Sequence, residues 1–171
     1  MDDDAGLRQA WTVIRLVAAA VVVTDVIYMV VCVAIAQTGP AGGEFRGFLD
    51  MQGNETFDLL RTVFMAVSVP IAGVSLWVKA FIKRREAGGE PRLPAFATPE
   101  GRRAARLLGA TLVSMSIAEV PGILGLVSFL LMGGLARLAV FLSISFATKL
   151  ALFPRKSELD EMADEERMDR M

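Results

Sequence analysis

From Leu16 to Ala36 the chain carries a single charge, Asp25, in an otherwise apolar or weakly polar run. At about 1.5 Å of rise per residue, a helix of this run crosses the roughly 30 Å hydrocarbon layer of a bilayer. Three more runs have the same character. Thr62 to Val78 is uncharged between Arg61 and Lys79, and Leu107 to Ala136 holds only Glu119. The fourth, Leu135 to Phe153, follows the Gly133-Gly134 pair, which offers a tight turn. A bilayer gives backbone groups no water to bond, so such runs are stable in lipid only as helices. The pattern predicts an all-α integral membrane protein: a four-helix bundle of two helical hairpins over residues 1–156, with helices at about 11–36, 57–83, 104–132 and 135–153, and a charged tail over 157–171. A hydrophobic content of 54% and a mean hydropathy of +0.50 agree, because the apolar residues lie in these blocks. The apolar run after the acidic start is too long for a signal-peptide core and reads as a retained helix.

The basic residues set an expected orientation. Lys79, Lys83, Arg84, Arg85, Arg92, Arg102, Arg103 and Arg106 cluster around the link between the second and third helices, against Arg46, Arg61 and Arg137 on the other side. Positive charge concentrates on the cytoplasmic side, so the middle loop is expected there. Arg8, Arg15, Lys149, Arg155 and Lys156 place both termini with it, in a cell (inner) membrane. At the span edges Lys79 and Lys149 are expected to snorkel toward headgroups. Pro154, Arg155 and Lys156 mark the stop of the fourth helix. The outer loop, Gln37 to Thr56, reads as a connector, and the acidic tail as a solvated segment.

The composition also excludes chemistry. The chain has no histidine and one cysteine, Cys32. Disulfide frameworks, Cys/His metal sites and imidazole-based triads are therefore ruled out within one chain. No nucleophile elbow or phosphate loop is present. The expectation is a non-enzyme with no metal and no organic cofactor, the only bound species being H+ or Na+. Its expected partners are the lipid bilayer and other membrane subunits or further copies of the chain, and no nucleic acid.

Asp25 and Glu119 are the residues that hydrocarbon should exclude. Carboxylates at mid-membrane depth face a bundle interior and commonly handle ions or protons. Both stand near the middle of helices that run in the same direction, so they lie at similar depth, and two adjacent carboxyls can share one proton. The competing reading has each carboxyl hydrogen-bonded to a serine or threonine, merely joining helices, with Thr24 and Tyr28 as local partners. Around Glu119, Ser116 and Gly122 share its helical face, and Ser114, Ala118 and Gly122 form a small-residue stripe for close helix packing. Pro121 cannot donate to the Ile117 carbonyl, leaving an acceptor beside the carboxylate, and Pro70 does the same in the second helix. Either proline can also act purely as a kink.

The run from Ser116 through Ala118-Glu119-Val120-Pro121-Gly122-Ile123-Leu124-Gly125-Leu126-Val127 resembles the ion-binding helix of the rotary ATP synthase c subunit, or proteolipid. Ala97-Thr98-Pro99-Glu100 precedes it as a polar loop does in that family. The resemblance covers roughly Thr98 to Leu131 and implies that Glu119 carries an ion, with Asp25, Ser116 and the Ile117 carbonyl in support. The second helix departs from the family's glycine repeat, offering only Gly73, and Leu124 stands where that family usually has tyrosine. The expected function is a distantly proteolipid-like membrane protein that binds or translocates protons or sodium. The alternative is a structural or assembly subunit of a membrane complex.

Overall fold

The computed structural model describes residues 3–37, 45–48, 55–84, 99–158 and 161. The described residues form five helices and no strand: α1 (Asp3–Gln37), α2 (Glu55–Arg84), α3 (Pro99–Ala118), α4 (Val120–Met132) and α5 (Leu135–Leu152). Four spans are long and apolar enough to cross a membrane, at Trp11–Gln37, Asp58–Lys83, Arg103–Met132 and Leu135–Leu152. The chain is thus an all-helical, multi-pass membrane protein. Its middle loop, 85–98, and all of the tail beyond Glu158 except Glu161 lie outside the described residues.

The third span is two helices, α3 and α4, joined at Glu119. Pro121 explains the break: it lacks an N–H and is accommodated in the first turn of a helix, so the chain restarts α4 around it. The span stays continuous across the joint, with Glu119 N–H donating to the Met115 carbonyl at 3.0 Å and Ile123 N–H to the Glu119 carbonyl at 3.0 Å. Between α4 and α5, Gly133 and Gly134 have φ of 70° and 90°, a left-handed backbone that glycine adopts without steric cost. They make the tight turn expected there. Its end of the bundle is the turn end below, and the opposite end, where α2 stops and α3 starts, is the loop end.

The α3–α4 span and α5 form the centre, with α1 and α2 flanking this pair on different sides. The inward face of α1 is Ile14, Ala18, Asp25 and Cys32, the last three spaced by two turns. Around them the core forms two apolar layers. Ala18, Met115, Ala118 and Leu152 make the layer toward the loop end, and Cys32, Phe129, Leu138 and Leu142 the layer toward the turn end. Asp25 lies between the two. Large apolar side chains on the flanks, among them Leu16, Val30, Val69 and Trp77, point outward, which is the arrangement lipid favours.

Two readings of the connecting segments change. Residues 45–48 are more than a connector: Phe45 packs on Phe129 with ring centroids 5.2 Å apart, and Phe48 N–H donates to the Leu130 carbonyl at 2.8 Å. The tail begins as a packed segment. Glu158 pairs with Lys79 at 2.9 Å, and the same ammonium donates to the Leu152 carbonyl at 2.8 Å, at the C-terminus of α5. Lys79 is therefore buried against α5 instead of reaching the headgroups; a cation there also meets the negative end of the helix dipole.

Candidate functional site

Between the two apolar layers three charged side chains from three spans meet. Lys149 of α5 is fully buried and stands between Asp25 of α1 and Glu119 at the α3–α4 joint. Its ammonium donates to Asp25 Oδ1 at 2.9 Å, to Thr24 Oγ1 at 3.3 Å and to the Val21 carbonyl at 3.3 Å, and it pairs with Glu119. This corrects the expectation that Lys149 snorkels to the interface.

The reason is helix length. Lys149 lies three residues from the end of α5, which looks superficial when only its own helix is considered. Measured from the turn end at 1.5 Å per residue, however, Lys149, Glu119 and Asp25 stand about 21, 20 and 18 Å deep. α5 stops at Leu152, whereas the α1 and α3 spans continue past that level to Trp11 and Arg103. The last turn of the shortest span is thus enclosed by its longer neighbours, and the lysine turns to the two carboxylates and to the Thr24 and Val21 oxygens beside them.

Ser145 and Lys149 share one face of α5 at an i, i+4 spacing. The Ser145 hydroxyl faces the Ala118 carbonyl at 2.9 Å and Asp25 at 3.1 and 3.2 Å. Gly122 allows this approach. A side chain there would bring its Cβ to 3.1 Å from Asp25 Oδ1 and 3.3 Å from Ser145 Oγ. On the other flank the Thr24 hydroxyl faces the Val21 carbonyl at 2.5 Å and Glu119 at 3.2 and 3.3 Å. Tyr28, one turn further along α1, interacts with Glu119 from the same face.

Hydrogens are short in this cluster. Lysine has three donors and each hydroxyl has one. The three ammonium hydrogens face four oxygens, and Thr24 and Ser145 each have one hydrogen for a carbonyl and a carboxyl. If the two hydroxyls donate to their nearer acceptors, the Val21 and Ala118 carbonyls, the carboxyl oxygens left without the ammonium need another donor, which Tyr28 can be for Glu119 and a carboxyl's own proton can be for Asp25. Charge gives a separate count: two carboxylates and one ammonium leave one negative charge, which one proton neutralises. The two carboxyls differ in access, since the Asp25 side chain is 3% exposed and that of Glu119 15%.

The structure separates the remaining residues singled out in the sequence. Ser114, Ala118, Pro121 and Gly122 are buried along the inward side of the third span, so the small-residue stripe lies at the helix contacts. Ser114 bonds within its own helix, to the Ala110 carbonyl at 2.6 Å. Ser116 is exposed: Met115 and Ala118 take the inward positions, which turns Ser116 outward and away from the site. The carbonyls that take part are those of Ala118 and Val21, in place of Ile117. Pro70 is exposed on α2, outside the site. Sequence reasoning missed Lys149 and Ser145; their signal was the shared face of α5, a serine and a lysine one turn apart in an apolar helix.

Among the described residues no group of carboxylates, cysteines or histidines is arranged to hold a metal ion. The chain matches no family model, and comparisons with curated proteins and with solved structures give no match.

Proposed function

We propose that this protein handles protons, with Asp25, Lys149 and Glu119 as one protonatable site inside the membrane. The observation that carries the reading is the fully buried Lys149 between two carboxyls, a cluster one proton short of neutrality. Low-dielectric surroundings make an unpaired charge expensive, so the surplus carboxyl has a strong reason to hold a proton and a well-defined place to return it. Glu119, the more accessible carboxyl, exchanges the proton; Asp25, held by Lys149 and Ser145, stays fixed. Thr24 and Tyr28 flank Glu119 from α1. Of the two ions that the sequence allows, the proton is favoured, because the ammonium already occupies the position a sodium ion would need between the carboxylates.

In this reading Glu119 keeps the role that its resemblance to the proteolipid helix implies, and Lys149 is the addition that sets its charge. The middle loop and both termini face the cytoplasm, on the distribution of lysine and arginine, and the bundle sits in the cell (inner) membrane.

A second reading has its own support. The triad ties three spans together, and each carboxyl has a hydroxyl neighbour. It would then be a clamp in a structural or assembly subunit, with other membrane subunits or further copies of the chain as partners.

The test is proton flux into proteoliposomes under an imposed pH gradient and potential, with Glu119→Gln as the comparison. Proton handling predicts flux above protein-free vesicles in the wild type and its loss in Glu119→Gln. Wild-type flux equal to empty vesicles, with the fold intact by circular dichroism, would leave the clamp as the function.

A further inference from the structure

A groove of about 420 Å³ opens between α2 and α5 near the turn end, away from the charged triad. Its walls are Thr62 and Met65 of α2 and Ala136, Val140 and Phe141 of α5, and almost all of the lining surface is apolar. Arg61 and Arg137 complete the lining from the two helices. Arg61 stands three residues inside the start of its span at Asp58, and Arg137 two inside the start at Leu135. Both guanidiniums are therefore at headgroup depth, with the apolar walls running below them toward the bilayer centre.

The charges there do not cancel. Arg61 is paired with Asp58 at 2.9 Å, an exposed contact of the kind that contributes little. Arg137 is exposed and has no ion pair among the described residues. Arginine's planar fork is suited to phosphate oxygens, which it can engage through two parallel bonds. An apolar slot below two arginines is complementary to one amphiphile: a phosphate with a hydrocarbon chain attached.

We propose that the α2–α5 groove binds an anionic phospholipid from the leaflet at the turn end, its phosphate between Arg61 and Arg137 and one acyl chain along Met65 and Val140. Such a lipid would fill the seam between α2 and α5 and join the flanking helix to the centre of the bundle. The assignment is independent of proton chemistry, since it uses neither Lys149 nor the carboxyls.

The experiment is native mass spectrometry of the full chain released from nanodiscs containing equal amounts of phosphatidylglycerol and phosphatidylcholine. An arginine near an anionic headgroup favours it by about fivefold, so the wild type should retain phosphatidylglycerol over phosphatidylcholine by roughly 5- to 25-fold. Arg61→Gln with Arg137→Gln should abolish the preference, and Arg61→Lys with Arg137→Lys should keep most of it. Val140→Trp, which fills the slot but leaves both charges, should expel the lipid. Equal retention of the two lipids by the wild type, or unchanged preference in the double glutamine variant, would overturn the proposal. Unchanged retention in Val140→Trp together with displacement by inorganic phosphate would also overturn it, by showing a phosphate site with no place for a chain.

Discussion

Replacing Lys149 by methionine keeps an unbranched side chain of similar reach and removes its charge and its hydrogens. In the fold this leaves Asp25 and Glu119 facing one another without the ammonium that separates them, and Val21 and Thr24 lose a donor. Removing one member of a buried ion pair costs about 3–5 kcal/mol, most of it from the charge left behind. For a chain of this size, about 2–4 °C is lost per kcal/mol, so melting in detergent should fall by roughly 6–20 °C. The second half of the prediction concerns the partner. Asp25→Asn removes the charge that Lys149→Met would strand, so the double variant should be more stable than the two single losses added together, with a coupling of about 2 kcal/mol. The assay is thermal unfolding of all four proteins followed by helical circular dichroism at fixed pH and detergent. A loss under 1 kcal/mol for Lys149→Met, or strict additivity, would refute the claim that the lysine is enclosed between the carboxyls.

The fold makes two further predictions of a simpler kind. Gly125 packs on α5 so closely that an added Cβ would stand 2.5 Å from Cβ of Phe141. Gly125→Ala should therefore cost about 1–3 kcal/mol through overpacking, read in the same melting assay, while Gly73→Ala, where a Cβ meets nothing within 4 Å, should be neutral or slightly stabilising. Glu158→Gln removes the anion that holds Lys79 against the end of α5, and should speed protease cleavage of the tail; unchanged cleavage would count against the packed segment.

The spans were legible in the sequence because a run such as Leu16 to Ala36 leaves a chain in lipid almost no choice but a helix. The turn at Gly133-Gly134 was legible for a local reason, the positive φ that both residues adopt. The similar depth of Asp25 and Glu119 was legible, since each lies mid-span in helices of the same direction, but their meeting was not, because it is Lys149 that joins them. Lys149 was not legible in that way. Its burial depends on α5 being shorter than α1 and the α3–α4 span at the level where they pack, a relation between helices that no single helix contains. Ser116 failed for the opposite reason, since a face shared with Glu119 by spacing says nothing of which side the rest of the bundle takes. Met115 and Ala118 took the inward positions, and Ser116 was left outside. Lys79 repeats the Lys149 lesson at the loop end, where its partner, Glu158, lies in a segment whose composition alone suggests solvent.

The central claim is that the triad holds one exchangeable proton. Infrared difference spectroscopy of the protein in lipid, stepped between acidic and alkaline buffer, reads the carbonyl stretch of a protonated carboxyl directly. The account predicts one such band in the wild type at neutral pH, where the exposed carboxyls are ionised, that disappears as pH rises, is absent in Glu119→Gln and persists in a control that alters the exposed Asp58. A spectrum with no protonated-carboxyl band at neutral pH in the folded protein would contradict it, because Asp25, Lys149 and Glu119 would then form a charged clamp.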